Sequence, residues 1–285
     1  MANTEIGVVS RDTADQVRHY YTQTESYLTG PLRGTCHFGF TPEGTVFELT
    51  RDLRLMERLL GNTLDLPPNS PVLDAGCGFC RVASTLANEF NLKVYGIDLT
   101  LIRFSEARRF IDKQKVSQPI RLIGGNYCRL PFADSVFTGA FTMETLCHAD
   151  PLQNALREFF RVLRPGGKAV FFEYRVPEES SLDPIRLRIT REMIARTGMT
   201  AIKYFTQGNL EANLHSVGFK NITTTDISRN VWPTWHWLFW QAIRNDWQTI
   251  LQGKIVEYPN LAGSLLIWPY RHFLGYNITT ATKPC

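Results

Sequence analysis

The sequence predicts an α/β protein with a doubly wound, mostly parallel sheet and helices on both faces. Three observations predict it. Strand-like and helix-like runs alternate through the middle of the chain, and the first strand-like run ends in the tight turn of "VLDAGCGFCRVA", residues 72–83, where a helix opens. An apolar content of 44% over 285 residues is ample for a sizeable core. Taken in order, "PVLDAG" reads as a buried strand, residues 80–90 as a helix, "LKVYGID" as a second strand and residues 100–115 as a second helix. "IRLIGGN" and "SVFTGAFTME" are further strands. "PLQNALREFFRVL" is a helix, because Leu152, Leu156, Phe159, Phe160 and Leu163 recur on one face. "RPGG" breaks that helix and "KAVFFEYRV" resumes a strand. In such a sheet ligands bind at the carboxyl ends of the strands, the edge where these loops sit.

Charge and composition narrow the function classes. Lysine and arginine total 31 against 27 acids, a net charge of +4 with both signs dispersed, so a nucleic-acid partner is not expected. The first residues, "MANTEIGVVSRDTADQ", lack the apolar centre of a signal peptide, and no run reaches the ~18 apolar residues of a membrane span. Six cysteines without a regular framework suit a reducing compartment, and the expected location is cytoplasmic.

Two kinds of nucleotide loop compete for Gly76 and Gly78. A dinucleotide fingerprint would place a third glycine where Arg81 stands, and that bulk argues against it. Instead Asp74 precedes Gly76 by two residues, and Asp98 ends the next strand 20 residues after Gly78. In these residues the chain resembles the class I S-adenosylmethionine-dependent methyltransferases, whose ligand carries a sulfonium, an ammonium and a ribose but no phosphate. The resemblance runs from about Tyr20 to Thr282 and rests on four motifs in order: "VLDAGCG", "YGIDLT", "GGNYCRLPFADSVF" and "RVLRPGG".

The resemblance implies a Rossmann-like sheet of seven strands and S-adenosyl-L-methionine as cofactor, with S-adenosyl-L-homocysteine as its product. It implies that the backbone from Gly76 through Cys77 to Gly78 approaches the methionine part, with Asp74 beside it. Asp98 then accepts from both ribose hydroxyls, next to Leu99. Asn126 accepts from the adenine amine and Tyr127 flanks the ring. Tyr21 and Glu144 complete the cofactor set. Cys80 stands at the position of the family's commoner third glycine, where a small, fairly apolar side chain is a cheap replacement. Cys77 and Cys80, with Cys147 and His148, spell a zinc set on paper, but the four would have to converge where the nucleotide sits; no metal is expected.

The chain is similar to one group within the family. "FTMETLCHADP" and "FFEY" resemble motifs after strands four and five of sterol, prenyl and other lipid C-methyltransferases. "YYTQTESYL" and "CHFGF" resemble their N-terminal motifs that fold over the cofactor, which brings Tyr20, His37 and Phe38 to the acceptor. The aromatic-Trp-Gly signature of the sterol enzymes is absent; Leu28-Thr29-Gly30 stands near its place. These likenesses imply transfer of a methyl group to a lipophilic small molecule, at a carbon of an isoprenoid, a prenylated natural product or a sterol-like lipid. O- or N-methylation, or cyclisation or rearrangement around a bound cofactor, are the alternatives. His148, Glu144 and Glu173, at the ends of strands four and five, are the candidate catalytic bases, and Tyr174 faces the acceptor.

All six tryptophans fall between "KNITTTDIS" and the final "GYNITTATK". Trp232, Trp235, Trp237 and Trp240 are therefore candidate acceptor-wall residues. The same segment serves equally as a helical pair burying its own core or as an interface in a homo-oligomer, and "WPTWHWLFW" also has the character of an element at a membrane surface. The expected organisation is a helical cap over residues 1–66, a cofactor-binding core over 67–229, a tryptophan-rich lid over 230–271 and a last core strand over 272–285. Arg186, Arg188, Arg191 and Arg196 are read as a solvated helix face in preference to a diphosphate site.

Overall fold

Seven strands form one sheet in the order β3-β2-β1-β4-β5-β7-β6 in the computed structural model, which describes residues 13–23, 35–100 and 104–285. They are β1 Pro71–Ala75, β2 Lys93–Asp98, β3 Ile120–Gly124, β4 Phe137–Met143, β5 Leu163–Arg175, β6 Lys220–Asp226 and β7 Gly275–Thr282. Five neighbouring strands run parallel, while β7 is antiparallel to both β5 and β6. The helices are α1 Thr13–Gln23, α2 Leu49–Leu64, α3 Arg81–Glu89, α4 Phe104–Gln114, α5 Leu152–Val162, α6 Pro184–Thr197, α7 Asn209–Val217, α8 Ser228–Leu251 and α9 Pro259–Ile267. The fold class expected from the sequence is the fold observed. Leu28-Thr29-Gly30 lies outside the described residues.

The strand order reverses at β1 and β4, and this puts the carboxyl ends of both strands beside one cleft. Alternation along the central strands splits the core in two. Leu73, Ala75, Ala140, Ala169 and Phe171 point to the face covered by α5 and α7. Val72, Phe141, Met143, Val170 and Phe172 point to the face covered by α2, α3 and α8. Helix ends are fixed locally. Glu48 caps α2 by accepting from the Thr50 and Arg51 amides, and Asp183 caps α6 by accepting from Ile185 and Arg186 ahead of Gly198, which ends that helix at φ 68°.

The tryptophan-bearing segment between β6 and β7 is helical: α8 carries Pro233 in its second turn and a kink at Asp246, and α9 follows. Val231, Thr234, Trp235, Leu238 and Ala242 recur at helical spacing and are buried, so one side of α8 enters the core.

Phe137 is fully buried, edge-on to Tyr95 at 5.4 Å and Phe132 at 4.9 Å. Phe137→Ala is expected to lower the unfolding free energy by about 3–5 kcal/mol in urea denaturation, because neighbouring strands cannot collapse into the space it leaves.

Candidate functional site

The glycine turn after β1 is built for close approach. Gly76 has φ 96°, and a side chain there would meet Thr145 at 2.5 Å. Gly78 has φ 48° with nothing within 4 Å of the position a Cβ would take, so its backbone is bare toward the cleft. At the end of β2 the Asp98 carboxylate accepts from the Gly78 amide at 2.9 Å and the Thr100 amide at 2.7 Å. Cys80 opens α3 in a left-handed conformation with φ 60°, buried against the sheet, which is the conformation the commoner glycine would supply.

Two cavities open at this edge. A narrow one is lined by His37, Asp74, the glycine turn, Arg81 and Thr145. Burial, with Asp98 adding like charge, pushes the Asp74 carboxyl up to about 8, and its Oδ2 has no hydrogen-bond partner. An unpaired buried carboxylate calls for a cation. The sulfonium and ammonium of S-adenosylmethionine meet that demand, and the bare Gly78 backbone and the Asp98 carboxylate fit the rest of the ligand. The second cavity, about 560 Å³, is mostly apolar and lies between α6, α8, α9 and the ends of β5 and β7. Tyr21, Cys36 and Glu144 line both.

Glu144 sits at the junction with φ 59°, just past β4. Its Oε1 accepts from the Phe38 amide and the Tyr276 hydroxyl, each at 2.8 Å, and its Oε2 from the Tyr174 hydroxyl at 2.9 Å. Burial pushes its pKa up, while the Phe38 amide, His37 and the two tyrosines oppose that shift. His148 closes the other side. Its Nδ1 lies 3.2 Å from the Gly198 carbonyl, which can only accept, so Nδ1 carries the proton and Nε2 the lone pair. The Tyr21 hydroxyl donates to that Nε2 at 2.9 Å. Burial pushes the imidazole down to about 4, against the Gly198 contact, so His148 is neutral at pH 7.

Several candidates fall elsewhere. Glu173 lines neither cavity. Its Oε1 accepts from Thr142 Oγ1 and from the Thr145 and Leu146 amides, so it holds the turn after β4 in place. Burial pushes its carboxyl up to about 8. Tyr127 packs on Phe159 in the core and gives its hydroxyl to the Thr145 carbonyl. The Asn126 side-chain oxygen accepts from the Cys128 amide, and Leu99 is half-buried beside Asp98. His37 lines the cofactor-side cavity: its Nδ1 bonds the Phe38 carbonyl and its Nε2 lies 3.6 Å from Glu57.

Phe38, Tyr174 and Tyr20 line the larger cavity, but of the four candidate tryptophans only Trp235 does. Trp232 packs on His272, Trp237 on Phe47, and Trp240 is 54% exposed and bonded to His236. The 3.6-residue turn of α8 sends the four indoles to different sides. Cys36, Thr145 and Tyr276 are site residues the sequence reading missed. Cys36 could have been found beside the His37-Phe38 pair; Tyr276 gave no local signal.

Comparison with known proteins gives concordant matches. Residues 73–171 match the family described as "Methyltransferase domain". The chain is 33% identical over 242 residues to the S-adenosyl-L-methionine-dependent Diels-Alderase iccD of Talaromyces variabilis, covering 82% of each chain. It is 29% identical over 195 residues to the botryococcene C-methyltransferase of Botryococcus braunii, covering 68% of this chain and 50% of that one. Among solved structures, the [4+2]-cyclase SpnF superposes with a TM-score of 0.79 at 22% identity over 98% of both chains.

Asp98→Ala is expected to weaken S-adenosylmethionine binding at least tenfold by calorimetry, since charge-assisted hydrogen bonds contribute about 1.5–3 kcal/mol each. The buried acids set a second expectation. The fold holds the Asp74 and Glu173 protons more tightly than the unfolded chain, so the stability they contribute is complete below about pH 4 and is lost as pH rises toward about 8. The melting temperature of the ligand-free protein should therefore fall by roughly 5 °C or more between pH 5.5 and 8. S-adenosylmethionine should reduce the fall by favouring the ionised Asp74; a flat or rising profile in calorimetric scans would contradict the burial argument.

Proposed function

The chain belongs to the S-adenosylmethionine-dependent methyltransferase family, and from that premise we propose that it moves the methyl group of S-adenosylmethionine to a carbon of a lipophilic small molecule. An isoprenoid, a prenylated natural product or a sterol-like lipid is the acceptor class. The observation that carries the reading is the meeting of a narrow polar cavity and a large apolar one at Tyr21, Cys36 and Glu144.

The cofactor supplies an electrophilic methyl group at that junction. Asp98, Asp74 and the glycine turn bind and orient it. Phe38 gathers Tyr174 and Trp235 edge-on at 5.9 and 5.8 Å, so aromatic faces and the Glu144 carboxyl surround the place where an attacked alkene becomes positive. The apolar wall keeps water from that charge. A proton must then leave the carbon beside the cation. Tyr21 oxygen receives it while the Tyr21 hydroxyl proton passes to Nε2 of His148, leaving imidazolium and a neutral phenol. An imidazole with a pKa of about 4 is a poor base toward an alcohol, whereas a proton next to a carbocation is acidic enough for it. That mismatch favours carbon over a hydroxyl oxygen.

On the same reading residues 1–66 cap the cofactor, residues 67–229 and 272–285 form the core, and residues 230–271 cover the acceptor. No described helix is long and apolar enough to cross a membrane. No disulfide joins any of the six cysteines, which supports a reducing, cytoplasmic location. The exposed Trp240 and Trp247 support contact with a membrane surface or with a second copy of the chain.

A second reading, cyclisation around a bound cofactor without transfer, is favoured by the match to the Diels-Alderase over 82% of both chains. Incubation with methyl-labelled S-adenosylmethionine and a panel of prenylated and terpenoid acceptors separates the two. Label in a new carbon-methyl bond supports transfer; an unlabelled isomer formed equally well with S-adenosylhomocysteine supports cyclisation. For transfer, His148→Ala is expected to lower kcat by roughly 10²- to 10⁴-fold with cofactor affinity unchanged.

A further inference from the structure

Helix α6 lines the larger cavity, and its four arginines have separate fates. Arg191 pairs with Glu179 at 2.8 Å and Arg196 with Glu192 at 2.7 Å, both on the exposed side. Arg188 is exposed and lines no part of the cavity. Arg186 lines it, because positions 186, 189, 190 and 193 recur at helical spacing on the side that faces it. Its guanidinium lies 5.3 Å from the Tyr270 ring centre and 4.7 Å from that of Phe273. The Asp183 carboxylate that caps α6 also reaches Arg186 Nε, at 3.2 Å. Two aromatic rings and one carboxylate thus fix the guanidinium, and neither Nη nitrogen has a hydrogen bond among the described residues. Lys203 also lines the cavity, its ammonium 5.2 Å from the Tyr204 ring.

From this we infer that the acceptor is an amphiphile carrying a carboxylate, a single negative charge shared over two oxygens, held by Arg186 where it lines the cavity, with Lys203 a second cation lining the same cavity. The inference rests on the reading of this cavity as the acceptor site. A planar guanidinium with both Nη groups free matches two oxygens in one plane. A hydrocarbon or sterol would offer no acceptor to those two Nη groups. A diphosphate fits poorly for the opposite reason. Arg175 reaches Asp226 at 3.4 Å, Arg186 is already shared with Asp183, and Glu178 and Glu179 also line the cavity, so it lacks the surplus of cations a polyanion needs, whereas one carboxylate asks only for the two Nη donors.

Titration of the full chain with geranylgeranoic acid, geranylgeraniol and geranylgeranyl diphosphate, followed by quenching of tryptophan fluorescence, tests the inference without requiring turnover. The acid is expected to bind about tenfold tighter than the alcohol. Arg186→Gln should remove that preference while leaving alcohol affinity unchanged, and Lys203→Gln should reduce it less. Arg186→Lys, which keeps the charge and loses the planar pair of donors, should restore part of it. Equal binding of acid and alcohol, equal loss of both in Arg186→Gln, or no binding of any probe overturns the inference, as does a diphosphate that binds more than tenfold tighter than the acid. Label transfer measured on the same preparations keeps the two readings apart. Acid-selective binding without transfer to any acceptor overturns methyl transfer alone, whereas transfer without acid preference overturns the anion-binding site alone.

Discussion

The Glu144 carboxylate is the interaction around which the site is assembled. A buried carboxylate is costly unless donors surround it, and here the donors come from three distant parts of the chain: the Phe38 amide, the Tyr174 hydroxyl on β5 and the Tyr276 hydroxyl on β7. Satisfying one side chain therefore fixes the N-terminal segment, the last parallel strand and the antiparallel closing strand relative to each other. It also sets Phe38 against Trp235, Tyr174 and Tyr276, the aromatic cluster at the junction of the two cavities. The left-handed backbone at Glu144 turns the carboxyl out of the β4 direction and into this cluster.

A second buried carboxylate supports the first from behind. Glu173 accepts from Thr142 and from the Thr145 and Leu146 amides, so the turn leading to His148 is held by a group on the neighbouring strand. Thr145 in turn gives its hydroxyl to the Ala75 carbonyl and fills the space beside Gly76. The glycine turn, the strand-four turn and the His148 ring thus form one connected set. A change at Glu173 reaches the glycine turn and the His148 turn together, although Glu173 lines neither cavity.

Legibility in the sequence followed how local each feature is. The alternating elements, the glycine turn and Asp98 were readable because each is written in consecutive residues, and the spacing from Gly78 to Asp98 is simply one helix plus one strand. Glu144, Tyr21 and His148 were readable as candidates, but their partners were not, since Tyr276 lies 132 residues from Glu144 and carries no motif of its own. Tyr127, in the loop after β3, and Glu173, near the end of β5, stood at the right edge of the sheet but bond the turn after β4, a matter of strand parity and turn geometry that motif spacing does not resolve. The tryptophans illustrate a different limit. Their clustering was visible, but helical rotation along α8 buries Trp235 and leaves Trp240 in solvent.

The division of labour between elements has a consequence for how the site could change. Cofactor-side groups come from the loops after β1, β2 and β4 and are bound into the sheet through Asp98, Thr145 and Glu173. The walls of the larger cavity come mainly from α6, α8, α9 and the residues just before β7, and α8 packs on the sheet through Val231, Trp235 and Leu238. On the proposed reading, substitutions along the cavity side of α6 and α9 alter the shape and charge offered to an acceptor without touching the hydrogen bonds of Asp98, Thr145 and Glu173. Arg186 belongs to that replaceable wall, held by Asp183, Tyr270 and Phe273 and by nothing in the sheet. Among the described residues, Glu144, Tyr21 and Cys36 are the ones that line both cavities. On the proposed reading, a chain of this architecture can keep one cofactor geometry while its acceptor, and even the reaction that follows binding, varies with a few helix positions.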